Sequence, residues 1–429
     1  MTSFFCDELS ERCVLALREA GVQSVVVLDE PDAAGRALAQ RHHLAFAEAR
    51  FFAGHLRDEH GEAVYFVARR TAGRLALAAA KQVVAGSTVL ARIADRFEGA
   101  TLRLAIAKFM AMEIETKLMR ALVAKALSGG EDSVLWLRAP QSVPAEVFGA
   151  AVPGVQIRFV AVHGARARPI VKSLLVEFAR YLRGLASPAR NRPGARPAVL
   201  VTREDDLGLD RSYRSQPHWV DPAQPLGFNV YVRGRGRPLT AAVAAQLAAA
   251  GIHCLTHGDA AAALRRHRAL PALRQLASEA NACLLAALCT HDAVLLRILL
   301  HARLLLLRGR ELGAQARNLG VRAFVSGEPY LVESDAMQLA APALKVATIT
   351  FQYSNLAFLS PLMLTTSDRM ALFSQTYRPI WDADGIHPLH WEYLGYSMDG
   401  AAQHVRERAA QLRARLQGSG ARFVLCYFD

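Results

Sequence analysis

None of the six cysteines of this 429-residue chain pairs with another as CxxC. Cys6, Cys13, Cys254, Cys283, Cys289 and Cys426 form no regular framework, so they read as buried thiols of a reducing compartment rather than as a disulfide scaffold. Phosphate-binding glycine loops are equally scarce. Gly234 and Gly236 make a GxG, but the third glycine is absent and Pro238 follows. Neither a dinucleotide fingerprint nor a Walker loop is present, and a dehydrogenase fails on that ground. His42 and His43 are adjacent, His253 and His257 stand four apart, and no HExxH or Cys/His quartet occurs, so no metal site and no cofactor are expected. A GxSxG elbow, the hydrolase signature, is missing too. Residues Met1 to Arg12 lack the basic start and apolar core of a signal peptide. The longest apolar region, Ala282 to Leu307, is interrupted by His291, Asp292, Arg297, His301 and Arg303. That many ionisable groups cost too much in lipid, so the region is expected as a buried or interfacial helix, in a cytoplasmic protein.

What is present is apolar and basic. Hydrophobic residues make up 52% of the chain and charged ones only 21%, which predicts a folded protein, and the length predicts two or three domains. The net charge of +13, carried mostly by arginine, points to an anionic partner: nucleic acid, a phosphate-bearing small molecule or an acidic membrane face. Arginine-rich and alanine-rich usage also follows from a GC-rich genome, so composition does not choose.

In chain order, residues 21–30 read as a strand, 31–42 as a helix and 44–52 as a strand. A long helical stretch from Ala72 to Leu127 has breaks at Gly86 and Gly99, and strands follow at 134–137 and 155–162. Residues 1–185 are thus expected as a small α/β unit with a large helical insertion. The unit closes on a basic amphipathic helix, 169–185. The next segment, 186–197, rich in proline and arginine, reads as a linker. Helix and linker either rest on anionic lipid headgroups or pack on their own domain beside a solvated basic tether. Residues 198–420 are expected as a second α/β domain with a Rossmann-like parallel sheet.

Three apolar runs organise that domain: Arg322 to Ser326, Val346 to Gln352 and Leu362 to Ser367, with helices expected over 333–344 and from Asp368 to Tyr377. Ligands of such sheets bind beyond the carboxyl ends of the strands. Those ends carry Glu328, Glu333, Asp335, Gln352, Tyr353, Ser354, Asn355, Ser367 and Asp368, and the first strand adds Arg203, Glu204, Asp205 and Asp206. A carboxylate among Glu328, Glu333 and Asp335 serves as general base to a hydroxyl or holds a sugar; alternatively Glu333 and Asp335 only cap a helix. The QYSN cluster of Gln352 to Asn355 suits a polyhydroxylated ligand, or shapes a turn. The run from Arg203 to Asp206 closes the rim, or is a solvated charge run.

The succession SGEPYLVESD, TITFQYSN, LMLTTSDRMALFS, WEYLGYSMDG and FVLCYFD resembles the two-domain (GT-B) glycosyltransferases of bacterial surface-carbohydrate and O-antigen synthesis, over residues 198–429. Gln352 stands at the glutamine of a Gln-His-Gly or Gln-His-Ser loop of those enzymes, with Tyr353 and Ser354 where His and Gly or Ser are more usual. The resemblance implies that 198–420 is the acceptor-side domain and that 421–429 opens a donor domain continuing past the last residue. It also implies a metal-independent transfer from a nucleotide-sugar to a lipid-linked glycan acceptor at the inner membrane face. Glu328 or Glu333 would act on the acceptor hydroxyl, and Gln352, Tyr353 and Asp368 would line the cleft. The alternative is a non-catalytic basic α/β module for nucleic acid or a protein partner. Against the nucleic-acid form, no strand interleaves aromatic and basic residues as an RNA-binding sheet does.

Overall fold

The computed structural model describes residues 2–49, 55–129, 131–148, 151–160, 167–187, 189, 191, 196–203, 227–234, 240–249, 251–327, 329–352, 360–382, 386–395 and 399–420. The first unit comprises β1 (Ser3–Cys6), α1 (Glu11–Glu19), β2 (Ser24–Val27), α2 (Ala33–Arg41), β3 (Ala45–Glu48), α3 (Val64–Gly86), α4 (Thr88–Arg96), α5 (Gly99–Leu127), β4 (Ser133–Arg138) and β5 (Val155–Val160). Short β-branched and aromatic runs make its strands, and local caps start its helices. The Asp32 carboxylate accepts from the Gly35 amide at the start of α2, and the Ser87 hydroxyl accepts from Leu90 at the start of α4. The sequence anticipates the breaks that divide α3, α4 and α5. It does not anticipate β1 or α1.

The second unit comprises α6 (Ala167–Ala186), β6 (Ala198–Arg203), β7 (Asn229–Gly234), α7 (Ala241–Ala249), β8 (Ile252–Cys254), α8 (His257–His267), α9 (Pro271–Cys289), α10 (Ala293–Leu319), β9 (Val321–Ser326), α11 (Val332–Leu344), β10 (Ala347–Phe351), β11 (Arg369–Leu372), β12 (His390–Tyr393) and α12 (Asp399–Gly418). Helix α6, expected to close the first unit, packs instead on α8 and α10 of the second. A capping box between Thr256 and Asp259 opens α8, and Gly320, at φ +67°, closes α10 in the left-handed conformation that glycine adopts without steric cost.

Both sheets are wholly parallel. The first has the order β3-β2-β1-β4-β5 and the second β12-β11-β10-β9-β6-β7-β8. Counted within its own unit, each sheet runs 3-2-1-4-5 from one side, the doubly wound Rossmann order. The strand order therefore reverses twice in the molecule, between β1 and β4 and again between β6 and β9.

One apolar core links the units. Leu135 and Leu137 of β4, the inward residues of α3 and α5, and Leu200 and Phe324 of β6 and β9 belong to a single cluster. The helical stretch within the first unit is therefore the packing layer between the sheets. Among the described residues no single helix is long and apolar enough to cross a membrane; α3 and α4 reach that measure only together, as a pair bent by 101°.

One expected strand is absent. The run from Leu362 to Ser367 is a 3-10 turn at Pro361–Met363 followed by an extended strap laid on the face of the sheet, and the strand itself is Arg369–Leu372. Threonines explain the difference. The Thr365 and Thr350 hydroxyls share a hydrogen bond of 3.1 Å, and the Gln338 amide of α11 donates to Thr365 at 2.8 Å. The strap thus satisfies its polar groups sideways, in the place where a crossover helix would lie. The helix expected from Asp368 to Tyr377 is likewise replaced by β11 and a 3-10 turn, Gln375–Ile380.

Candidate functional site

The two reversal points face each other along α5. Near its middle, the Glu113 carboxylate accepts from the Gln141 and Ser142 amides, both at 2.8 Å, just beyond the carboxyl end of β4. Lys117 donates to the Arg138 carbonyl at that same end. Toward its amino end, Lys108 donates to the Pro329 carbonyl and to the Asp335 carboxylate, both at 2.6 Å, just beyond the carboxyl end of β9. Thr101 bonds Thr366 of the strap, deeper on the second sheet. One helix therefore touches the carboxyl edge of each sheet. Its two contact points, Lys108 and Glu113, lie about 7.5 Å apart along its axis, from a 1.5 Å rise per residue. Both reversal points, the places where doubly wound sheets bind ligands, thus lie against the same helix.

On the second edge, Gly327 ends β9 beneath the Phe351 ring; a Cβ there would lie 2.2 Å from the ring's Cζ, so only glycine lets the chain leave the sheet at this point. Glu333 sits in the first turn of α11, nearly buried, with Arg308 Nε 3.8 Å from its carboxylate. Arg308 also pairs with Glu311, which pairs with Arg233 at the end of β7. Burial opposes the charge on Glu311, but the Arg233 and Arg308 guanidiniums outweigh it and hold the carboxyl below its ordinary range. Burial brings Arg308 itself down to about 10.

Asp335 is buried on Lys108. Burial pushes its carboxyl up to about 6 against the attraction of the ammonium, and burial lowers Lys108 from its ordinary value. Three cations, Lys108, Arg233 and Arg308, thus meet three carboxylates, Asp335, Glu311 and Glu333, on this edge. The described part of this edge is balanced.

The residues expected on the rim divide as follows. Glu333, Asp335 and Gln352 stand at the carboxyl edge. Neither Glu333 nor Asp335 caps α11, whose first flanking residue is Leu331. Gln352 is fully buried: its amide donates to the Ala371 carbonyl and its side-chain oxygen accepts from Phe373, which ties β10 to the end of β11. Asp368 is a correction. Because the strand begins after it, Asp368 precedes β11 and lies at the opposite, amino edge, where its carboxylate accepts from the Thr348 amide at 2.7 Å and the Thr348 hydroxyl at 3.0 Å. Ser367 goes with it. Arg203 contributes backbone to β6, and its side chain is outside the description. Glu328, Asp205, Tyr353, Ser354, Asn355 and residues 421–429 lie outside the described residues.

The first edge was not anticipated as a site. There Asp7, buried just after β1, accepts from the amides of Glu8 and Arg138, with Lys117 at 3.8 Å and Arg120 at 3.5 Å. Arg120 also bonds Asp29 beyond β2. The acidic and turn-forming residues after β1 and β2 were the available signal. The ion partners on α5 carried none, since they lie some ninety positions or more away in the sequence.

Among the described residues no group of histidine, cysteine and acid side chains is placed to hold a metal. Fold and contacts together define a pair of Rossmann-like α/β units whose sheets meet one helix at their carboxyl edges. Comparison with family models, with curated proteins and with solved structures gives no match.

Proposed function

We propose that this protein is a glycosyltransferase that moves a sugar from a nucleotide-sugar to a hydroxyl of a lipid-linked glycan acceptor, in bacterial surface-polysaccharide synthesis on the cytoplasmic side of a membrane. The apposition of two doubly wound ligand edges across α5 carries this reading. Transfer between two substrates needs two binding edges within one reach, and each edge here is of the type that holds nucleotides or polyols. On the second edge each described cation is taken up by a carboxylate, which leaves that edge to a neutral polyhydroxylated acceptor. The donor then falls to the first edge, where Arg120, the more exposed of its two cations, is shared between Asp7 and Asp29.

Glu328 is assigned as the base that receives the acceptor proton while the nucleotide diphosphate leaves. Glu333, beside Arg308, stands in the first turn of the helix that follows it in sequence. Gln352 holds the ends of β10 and β11 together, and Asp335 and Asp368 take no part in the reaction. The test is turnover of a panel of sugar nucleotides with a polyprenyl-linked glycan acceptor. Glu328→Gln is expected to abolish transfer while donor binding persists. Absence of donor binding by calorimetry across the panel, or unchanged turnover in Glu328→Gln, would overturn the assignment.

A further inference from the structure

Helix α6 is packed on the molecule by its polar side. Ile170, Ser173, Glu177, Arg180 and Gly184 face inward at helical spacing: Glu177 accepts from Arg303 of α10, and Gly184 lies so close to α8 that a Cβ would stand 2.9 Å from the Ala261 methyl. Its apolar residues face outward. Val171, Leu174, Leu175, Phe178, Leu182 and Leu185 are each 42–60% exposed and fall within an arc of about 100° on a helix of 3.6 residues per turn. Arg168, Lys172 and Arg183, all exposed, border that arc on one side. An ordinary surface helix has the reverse arrangement.

We infer that this outward face of α6 docks on an anionic lipid bilayer, its apolar ridge entering the headgroup boundary and its bordering cations meeting lipid phosphates. Charge complementarity supports this occupant. From Arg166 to Arg196 the chain carries eight basic residues and one acid, Glu177, which is already paired inward. This segment therefore holds more than half of the net +13, whereas the described ligand edge is balanced. Apolar ridge and cations together are what interfacial association with acidic lipid requires. A second copy of the chain fits less well. A ridge about 21 Å long and about 10 Å wide offers roughly 200 Å² per copy, well below the roughly 800 Å² per partner of a stable interface.

This surface deepens the membrane-side location proposed above but is tested without any sugar donor, so vesicle binding and sugar transfer can fail separately. The whole protein is sedimented with vesicles of phosphatidylcholine alone and of phosphatidylcholine with phosphatidylglycerol. Binding is expected only to the second, weakening as salt is raised. Leu175→Ser/Phe178→Ser, which leaves the inward stripe intact, is expected to reduce the bound fraction at least tenfold, with circular dichroism unchanged. Lys172→Gln/Arg183→Gln is expected to weaken binding and flatten its salt dependence. No sedimentation of the parent protein with the anionic vesicles, or equal binding by Leu175→Ser/Phe178→Ser, overturns the proposal. So does a concentration-dependent dimer that the same substitutions dissolve, which would assign the face to a second copy.

Discussion

Lys108 and Asp335 show how much one buried pair decides. Both side chains are almost fully covered, and each satisfies the other across more than two hundred residues of sequence. Removing one partner leaves an uncompensated buried charge, so Lys108→Met is expected to cost about 3–5 kcal/mol, read from urea unfolding. The double change Lys108→Met/Asp335→Leu should recover most of that loss. The pair also sets a pH dependence. In the folded protein the Asp335 carboxyl titrates at about 6, above its ordinary 3.8, so the folded state holds a proton that the unfolded chain has released. The stability this group contributes is complete below 3.8 and is lost as the pH rises through about 6. Asp335→Asn should remove that decline, and an unaltered slope of urea midpoint against pH would contradict the assignment. At this scale the sequence marks the acids but not their partners. Asp335 is legible as polar and near a helix start, whereas nothing local reveals that Lys108 reaches it.

The elements were legible where a periodic run is bounded by turn residues, and failed where polar side chains make an alternative to the ladder. The three helices from α3 to α5, and β6, β9 and β10, lie close to where apolar spacing and glycines put them. The strap before β11 did not, because LMLTTS has strand-like composition yet bonds through threonine hydroxyls to α11 and to the face of β10. That misplacement carried Asp368 to the wrong edge. β1 was missed because four residues at a chain terminus give almost no period, although it pairs with both β2 and β4 at the centre of its sheet. The turn after β9 offers a sharp test. Gly327→Ala would push a methyl into the Phe351 ring, and a loss of about 1–3 kcal/mol is expected, typical of overpacking. Adding Phe351→Leu should restore part of the thermal midpoint. A neutral Gly327→Ala would mean that the ring moves freely.

At the scale of the whole molecule, the sequence indicates two α/β units but not how they meet. Their joining depends on contacts spread along α4 and α5: Arg92 and Arg96 bond Glu279 of α9, Phe109 stacks on His301 of α10 with ring centroids 4.3 Å apart, and Lys108 holds the turn before α11. With one apolar cluster spanning both sheets, heating should give a single calorimetric transition whose van't Hoff and calorimetric enthalpies agree. Two resolved transitions would show that the linker in sequence is also a boundary in energy.

The same helix has a mechanical consequence. Swinging the units apart along α5 would break the Lys108 bonds to Pro329 and Asp335 and expose part of the apolar cluster that both sheets share. A hinge motion of the two units, a common way in which paired domains close, is therefore costly here.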